Sequence, residues 1–176
     1  MQHSPSRLQM AGFLFTAIVG TFLHFLFELT GGHPVAALFS AVNESIWEHL
    51  KLLYMPMLLF ALWEYRVYGK TRQDFWCVKL VGFLVGLGLI PLLYYTYTGI
   101  LGIRADWFNI TIFFRAAAAA YRLETALLQR EKPCGLSAWV ALTAIVALGL
   151  VFWVFTFFPP RIPFFRDPVT GTYGFS

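Results

Sequence analysis

Apolar positions fill this chain in five long stretches, each closed by a short break of polar residues, glycine or proline. The first stretch, 8–29, is interrupted only near its end, by His24 and Glu28. Thr30-Gly31-Gly32-His33-Pro34 then stops it, because paired glycines break a helix and Pro34 suits the first turn of a new one. From Val35 to Tyr68 the pattern could continue as a single helix. At about 1.5 Å per residue that helix would be about 50 Å long, too long for one bilayer crossing. Asn43-Glu44-Ser45 supplies the break, with Ser45 and Glu48 spaced as a capping box. The spacing therefore predicts a short membrane-edge or re-entrant helix over 35–42 and a second long helix over 46–68, kinked at Pro56.

Three more long helices are predicted over 76–97, 107–128 and 138–158. Gly82 and Gly86 form a small-xxx-small pair in the first of these, and Pro91 is a second expected kink. The run Ala116 to Ala120 suits tight packing inside a bundle. Pro159-Pro160 ends the last helix, and 159–176 should be irregular, with turn chemistry from Asp167 to Gly174 that could fold it back as a lid. About 20 apolar residues span a bilayer as a helix. The predicted fold class is all-α: a polytopic membrane helix bundle with five transmembrane helices in one domain, 1–176.

Composition strengthens this reading. The chain is 59% hydrophobic and 12% charged, whereas an ordinary soluble domain carries about a quarter charged residues. Too little polar surface exists to cover a water-soluble globule. The net charge of +4 sits in short loops rather than on one face with interleaved aromatics, which argues against nucleic acid as a partner. It sets orientation instead. Arg7, Arg66, Lys70, Arg72, Lys79, Arg130 and Lys132 fall on one side of a five-span topology, while Arg104, Arg161 and Arg166 fall on the other. The expected placement is a cell membrane, multi-pass, with the amino terminus cytoplasmic and the carboxyl terminus extracytoplasmic. The first run is too long for a signal-peptide core and reads as an uncleaved span. Cys77 and Cys134 lack metal-type spacing and would lie on the cytoplasmic side, where thiols stay reduced.

This topology directs nearly every costly polar group to the outer leaflet. His24 and Glu28 are four apart and share a helical face. His49 lies as far inside the second long helix as His24 lies inside the first, so the two imidazoles match in depth. Two histidines and a carboxylate can hold zinc or another divalent transition metal and leave a position for water, which the metal then acidifies. His24, Glu28 and His49 are the candidate metal ligands. Glu44, Glu48 and His49 are the candidate catalytic groups, with either glutamate as general base or further ligand. Lys51, Tyr95, Tyr97, Arg104 and Arg115 are candidates for binding a lipid or lipid-linked substrate, Arg115 through its planar fork.

Structural roles fit the same residues. Glu48 could cap its own helix, and Glu44 and His49, at N′ and N4, could clasp each other. Lys51 could snorkel to the headgroups, and Arg122 could pair with Glu64 or Glu124. Three functions stay open: a membrane-embedded enzyme acting on a lipid or lipid-linked substrate, a proton- or ion-coupled carrier, and a structural or accessory membrane protein.

Val-Asn-Glu-Ser-Ile-Trp-Glu-His-Leu-Lys (42–51), Tyr-Thr-Tyr-Thr-Gly-Ile-Leu-Gly (95–102) and the tail from Phe158 to Gly174 carry a resemblance. With them the chain resembles a family of small bacterial multi-pass membrane proteins known only as a domain of unknown function. The resemblance implies a membrane bundle and brings no activity, cofactor or assigned residue.

Overall fold

The computed structural model describes residues 5–103, 105–130 and 132–175. Among these the chain forms six α-helices and no strand: α1 (Pro5–Leu29), α2 (Pro34–Ala37), α3 (Ile46–Val67), α4 (Phe75–Leu101), α5 (Asp106–Leu128) and α6 (Ala138–Phe157). The long helices lie where the apolar pattern puts them, with α4 one turn longer than expected. The segment expected as a helix over 35–42 is a single turn, N-capped by His33 with Pro34 in its first turn.

Local chemistry explains the ends. Gly31 and Gly32 both take positive φ, and the Gly32 amide donates to Phe27 O, closing α1 in a left-handed cap. Ser45 caps α3 by accepting from the Glu48 amide at 3.3 Å. Gly102, at φ 64°, ends α4.

The core is built around α3, of whose 22 residues 13 are buried. It packs on α1, α4 and α6, while α5 fits against α1 and α4. Three helices, α1, α4 and α6, are long and apolar enough to cross a membrane. In α1 and α6 the most apolar windows are only 22% and 28% buried, so the bundle turns apolar surface outward. The interior helix α3 carries the reverse pattern, with Glu48, Lys51 and Glu64 fully inside. A helix sheathed by others can hold charge if the charges are paired.

Small residues set the closest approaches. Pro56 has no amide to give the Leu52 carbonyl four residues back, and Gly20 of α1 packs against that carbonyl. A Cβ at Gly20 would lie 2.6 Å from Leu52 O. Gly86 faces Ala116 and Ala120 across the α4–α5 contact, as the small-residue pattern predicts.

After α6 the chain turns back. Asp167 accepts from the Val169 amide and the Thr170 hydroxyl, an isolated bridge joins Arg166 to Tyr173, and the Phe175 amide donates to Thr156 O at 2.7 Å. Trp47 anchors this tail, stacking among Phe152, Phe155, Phe164 and Phe165. Cys77 and Cys134, expected as separate reduced thiols, are instead joined in a disulfide between the first turn of α4 and the α5–α6 connection.

Candidate functional site

The stretch 42–51 folds into a hub because Asn43, Glu44, Glu48 and Lys51 each find a partner from another element. Asn43 accepts from the Ser45 amide and donates to Gly174 O in the tail. Glu48 does not complete the capping box with its carboxylate. Instead Oε2 takes the Val42 amide at 3.1 Å and Lys51 Nζ at 2.6 Å, while Oε1 takes the Thr156 hydroxyl of α6 at 3.0 Å. Lys51 also donates to Ala37 O and to Thr156. Both side chains are buried. Lys51 therefore does not snorkel outward, and Glu48 serves as the inner clasp that holds α3 to α6 and to the α2 turn.

Glu44 has the opposite surroundings. It precedes the N-cap and projects toward His49 one turn into α3 and toward His24 of α1. Its carboxylate lies 3.4 Å from His49 Nε2 and 3.8 Å from His24 Nε2. One ligand atom from each of the three residues lies within 4.8 Å of the others. The two imidazole rings are 5.4 Å apart, centre to centre. Glu44 is about half exposed and the histidines about a third, so the group is open at the end of the bundle.

The His49 ring is held by a second contact. Its Nδ1 lies 2.9 Å from the Ser45 carbonyl. A carbonyl only accepts, so Nδ1 carries the hydrogen. In a neutral ring Nε2 then presents its lone pair to the Glu44 carboxylate. Two acceptors facing each other repel unless a cation, either a proton or a metal ion, lies between them. Metal-ligating histidines usually hold their other ring nitrogen in this way.

Ser40 braces the other half of the site. Its hydroxyl donates to Leu23 O at 2.5 Å and accepts from the Phe27 amide at 3.0 Å. These are the carbonyl and amide that the α1 ladder pairs, four residues apart, so Ser40 ties the α2 side of the chain to α1 beside His24.

Below the triad a cavity of about 710 Å³ runs between α1, α3, α4 and α5. Gly20, Leu52, Ile90 and Phe113 line its apolar part, Tyr94 and Asn109 add polar edges, and Pro168 and Val169 of the tail stand at its rim. Asn109 accepts from the Tyr97 hydroxyl at 2.7 Å, which leaves its amide NH₂ as the group it can offer the cavity.

The structure thus brings His24, His49 and Glu44 together. Glu44, rather than the expected Glu28, stands with the imidazoles, while Glu28 is exposed at the end of α1. Of the expected substrate-binding residues, Lys51 is buried in the clasp, Tyr97 is buried against Asn109, and Tyr95 lines a separate shallow recess with Tyr94 and Thr98. Arg115 is exposed on α5 and outside the cavity lining. Arg104 lies outside the described residues.

A second polar group, not foreseen as a unit, lies at the opposite end of the same helices. Lys79 of α4 contacts Glu64 of α3 at 2.5 Å and Glu124 of α5 at 2.6 Å, with Gln9 of α1 bonded to both Glu64 and Lys79. Arg122, the partner expected for these glutamates, is exposed. Costly polar groups therefore gather at two ends, not at one.

No curated protein and no solved structure matches the chain. A family model described as a family of unknown function covers residues 2–175. The chain belongs to this family, DUF6512.

Proposed function

We propose that the protein crosses a membrane with its five long helices and works there as a metal-dependent enzyme on a lipid or lipid-linked substrate. His24, Glu44 and His49 hold a divalent transition metal such as zinc at the polar end of the cavity. The observation that carries this reading is the fixed His49 tautomer, which aims Nε2 at the Glu44 carboxylate beside a second imidazole. Ligands about 2.1 Å from a tetrahedral zinc stand about 3.4 Å from one another. His49 Nε2 stands 3.4 Å from Glu44 Oε2 and His24 Nε2 3.8 Å from Oε1, close to that spacing, and one ligand atom from each of the three lies within 4.8 Å of the others. Two histidines and a carboxylate leave a fourth position for water, whose pKa zinc lowers to about 7. The apolar cavity walls suit an acyl or prenyl chain, and the exposed mouth suits its polar head. The charge distribution supports a cytoplasmic amino terminus, with the triad and the tail on the other side.

Metal analysis of protein purified without chelator tests the reading. About one zinc or other transition metal per chain is expected, lost in His24→Ala and His49→Ala and weakened in Glu44→Gln. Folded wild-type protein that takes up no transition metal when titrated with zinc would sink it. Ionisable groups at both ends of the bundle support a second reading, a proton- or ion-coupled carrier. In that case no metal binds, and pH-dependent flux in proteoliposomes requires Glu44 and Glu64.

A further inference from the structure

The two buried ionic groups differ in their charge count. Glu48 and Lys51 form a one-to-one pair, completed by Thr156. At the other end two carboxylates share one ammonium. Glu64 and Glu124 are fully buried, Lys79 is 2% exposed, and Gln9 is 1% exposed. Both carboxylates reach one Nζ, so they lie within about 5 Å of each other.

Among the described residues the remaining neighbours bring no second cation. From α1 come Gln9 and Thr16, from α5 Tyr121, whose hydroxyl bonds Thr16 at 2.8 Å. Arg7, Arg66 and Arg122 are exposed. Lys79 also lies over the Phe75 and Tyr121 rings. Glu124 Oε1 has no hydrogen-bond partner among the described residues and rests against Gly82. With both glutamates ionised, the site would carry one uncompensated negative charge away from water, which is strongly unfavourable. Two carboxylates that crowd one another are ordinarily relieved when one of them takes a proton.

We propose that the Glu64–Glu124 pair is a proton-binding site, holding one proton at neutral pH beside Lys79. It is distinct from the metal triad. Gln9 and His24 are 15 residues apart on α1, and His49 and Glu64 are 15 apart on α3. At 1.5 Å per residue the two sites are separated by about 22 Å along the bundle.

Infrared spectroscopy of the purified full-length protein in an ester-free detergent at neutral pH reads the proton directly, through the carbonyl stretch of a neutral carboxylic acid. Wild-type protein should show this band, shifted in deuterated water. Glu64→Gln and Glu124→Gln should each abolish it, because either leaves one carboxylate matched to Lys79. Lys79→Met should roughly double it, since both carboxyls must then be neutral. Glu44→Gln should leave it unchanged. A wild-type spectrum without the band overturns the proposal, as does a band that survives in both Gln variants.

Discussion

Within the ten residues 42–51, neighbours in sequence have opposite fates. Glu44 is open beside two imidazoles, while Glu48, four residues on, is sealed against Lys51. Removing one partner of a buried ion pair strands the other, at about 3–5 kcal/mol. Glu48→Gln and Lys51→Met should each destabilise the protein by about that much, as read by thermal unfolding in detergent. The double variant should fall well short of the sum of the singles, since neither charge is then left alone. Strict additivity would show that the pair does not act as a unit. The sequence identified this stretch as the hub and Ser45 as the cap, because those rest on local spacing. It put Glu28 first among the carboxylate ligands, with Glu44 only as general base or further ligand, for a physical reason. An i, i+4 spacing shows that His24 and Glu28 share a face of α1, but not which part of that face meets α3. Glu44 is aimed by Asn43 and Ser45, and Asn43 is itself tied to Gly174, 131 residues away. No local pattern encodes that contact.

The helices themselves were legible, since apolar runs and glycine–proline breaks are properties of single segments. Their rotational setting was not. Lys79 reads as one more basic residue near a loop, yet its setting on α4 turns it inward to Glu64 and Glu124. The packing of α1 on α3 makes one such setting testable. Gly20→Ala would drive a methyl against the Leu52 carbonyl and the Phe113 ring. Backbone cannot yield cheaply, so a loss of about 1–3 kcal/mol is expected. Because His24 lies one turn further along α1, zinc affinity should fall as well, although no ligand has changed. Gly88→Ala, with open space at its Cβ, is the control and should be neutral on both counts. If Gly20→Ala binds zinc as tightly as the wild type, the helix contact does not set the triad. At the other end of the bundle, Arg72 grips Asp74 with two bonds, at 2.9 and 3.0 Å, and the Cys134 amide adds a third. The bonds from Arg72 hold the Asp74 carboxyl below its ordinary value of 3.8, despite the opposing effect of burial. A depressed folded-state value means the stabilisation is present above pH 3.8 and is lost as pH falls through the lower folded value. Asp74→Asn should therefore cost about 1.5–3 kcal/mol at neutral pH, and the difference from wild type should shrink in acid. A gap that stays constant down to the most acidic folded condition would refute this.

On the scale of the whole molecule, charge bias and sulfur chemistry make opposite demands on the same end of the bundle. Arg66 lies in the last turn of α3, Lys70 and Arg72 join it to α4, and Arg130 and Lys132 fall between α5 and α6. In the proposed orientation that bias puts this end in the cytoplasm. The disulfide between Cys77 and Cys134 lies at the same end, and cytoplasmic thiols are kept reduced. The positions are 6.0 Å apart at Cα, so the backbone already holds them within bonding range. Both demands are met if the pair is two thiols in the living cell and closes once the protein leaves the reducing pool. Cells quenched in acid, then denatured with a maleimide reagent, should yield protein labelled at both cysteines. The same protein after purification in air should resist labelling until a reductant is added. Unlabelled protein from freshly quenched cells would mean that the disulfide exists in vivo. The basic end would then face an oxidising compartment, and the His24–Glu44–His49 site would open to the cytoplasm. The proposed orientation would be reversed, while the geometry of the triad would stand.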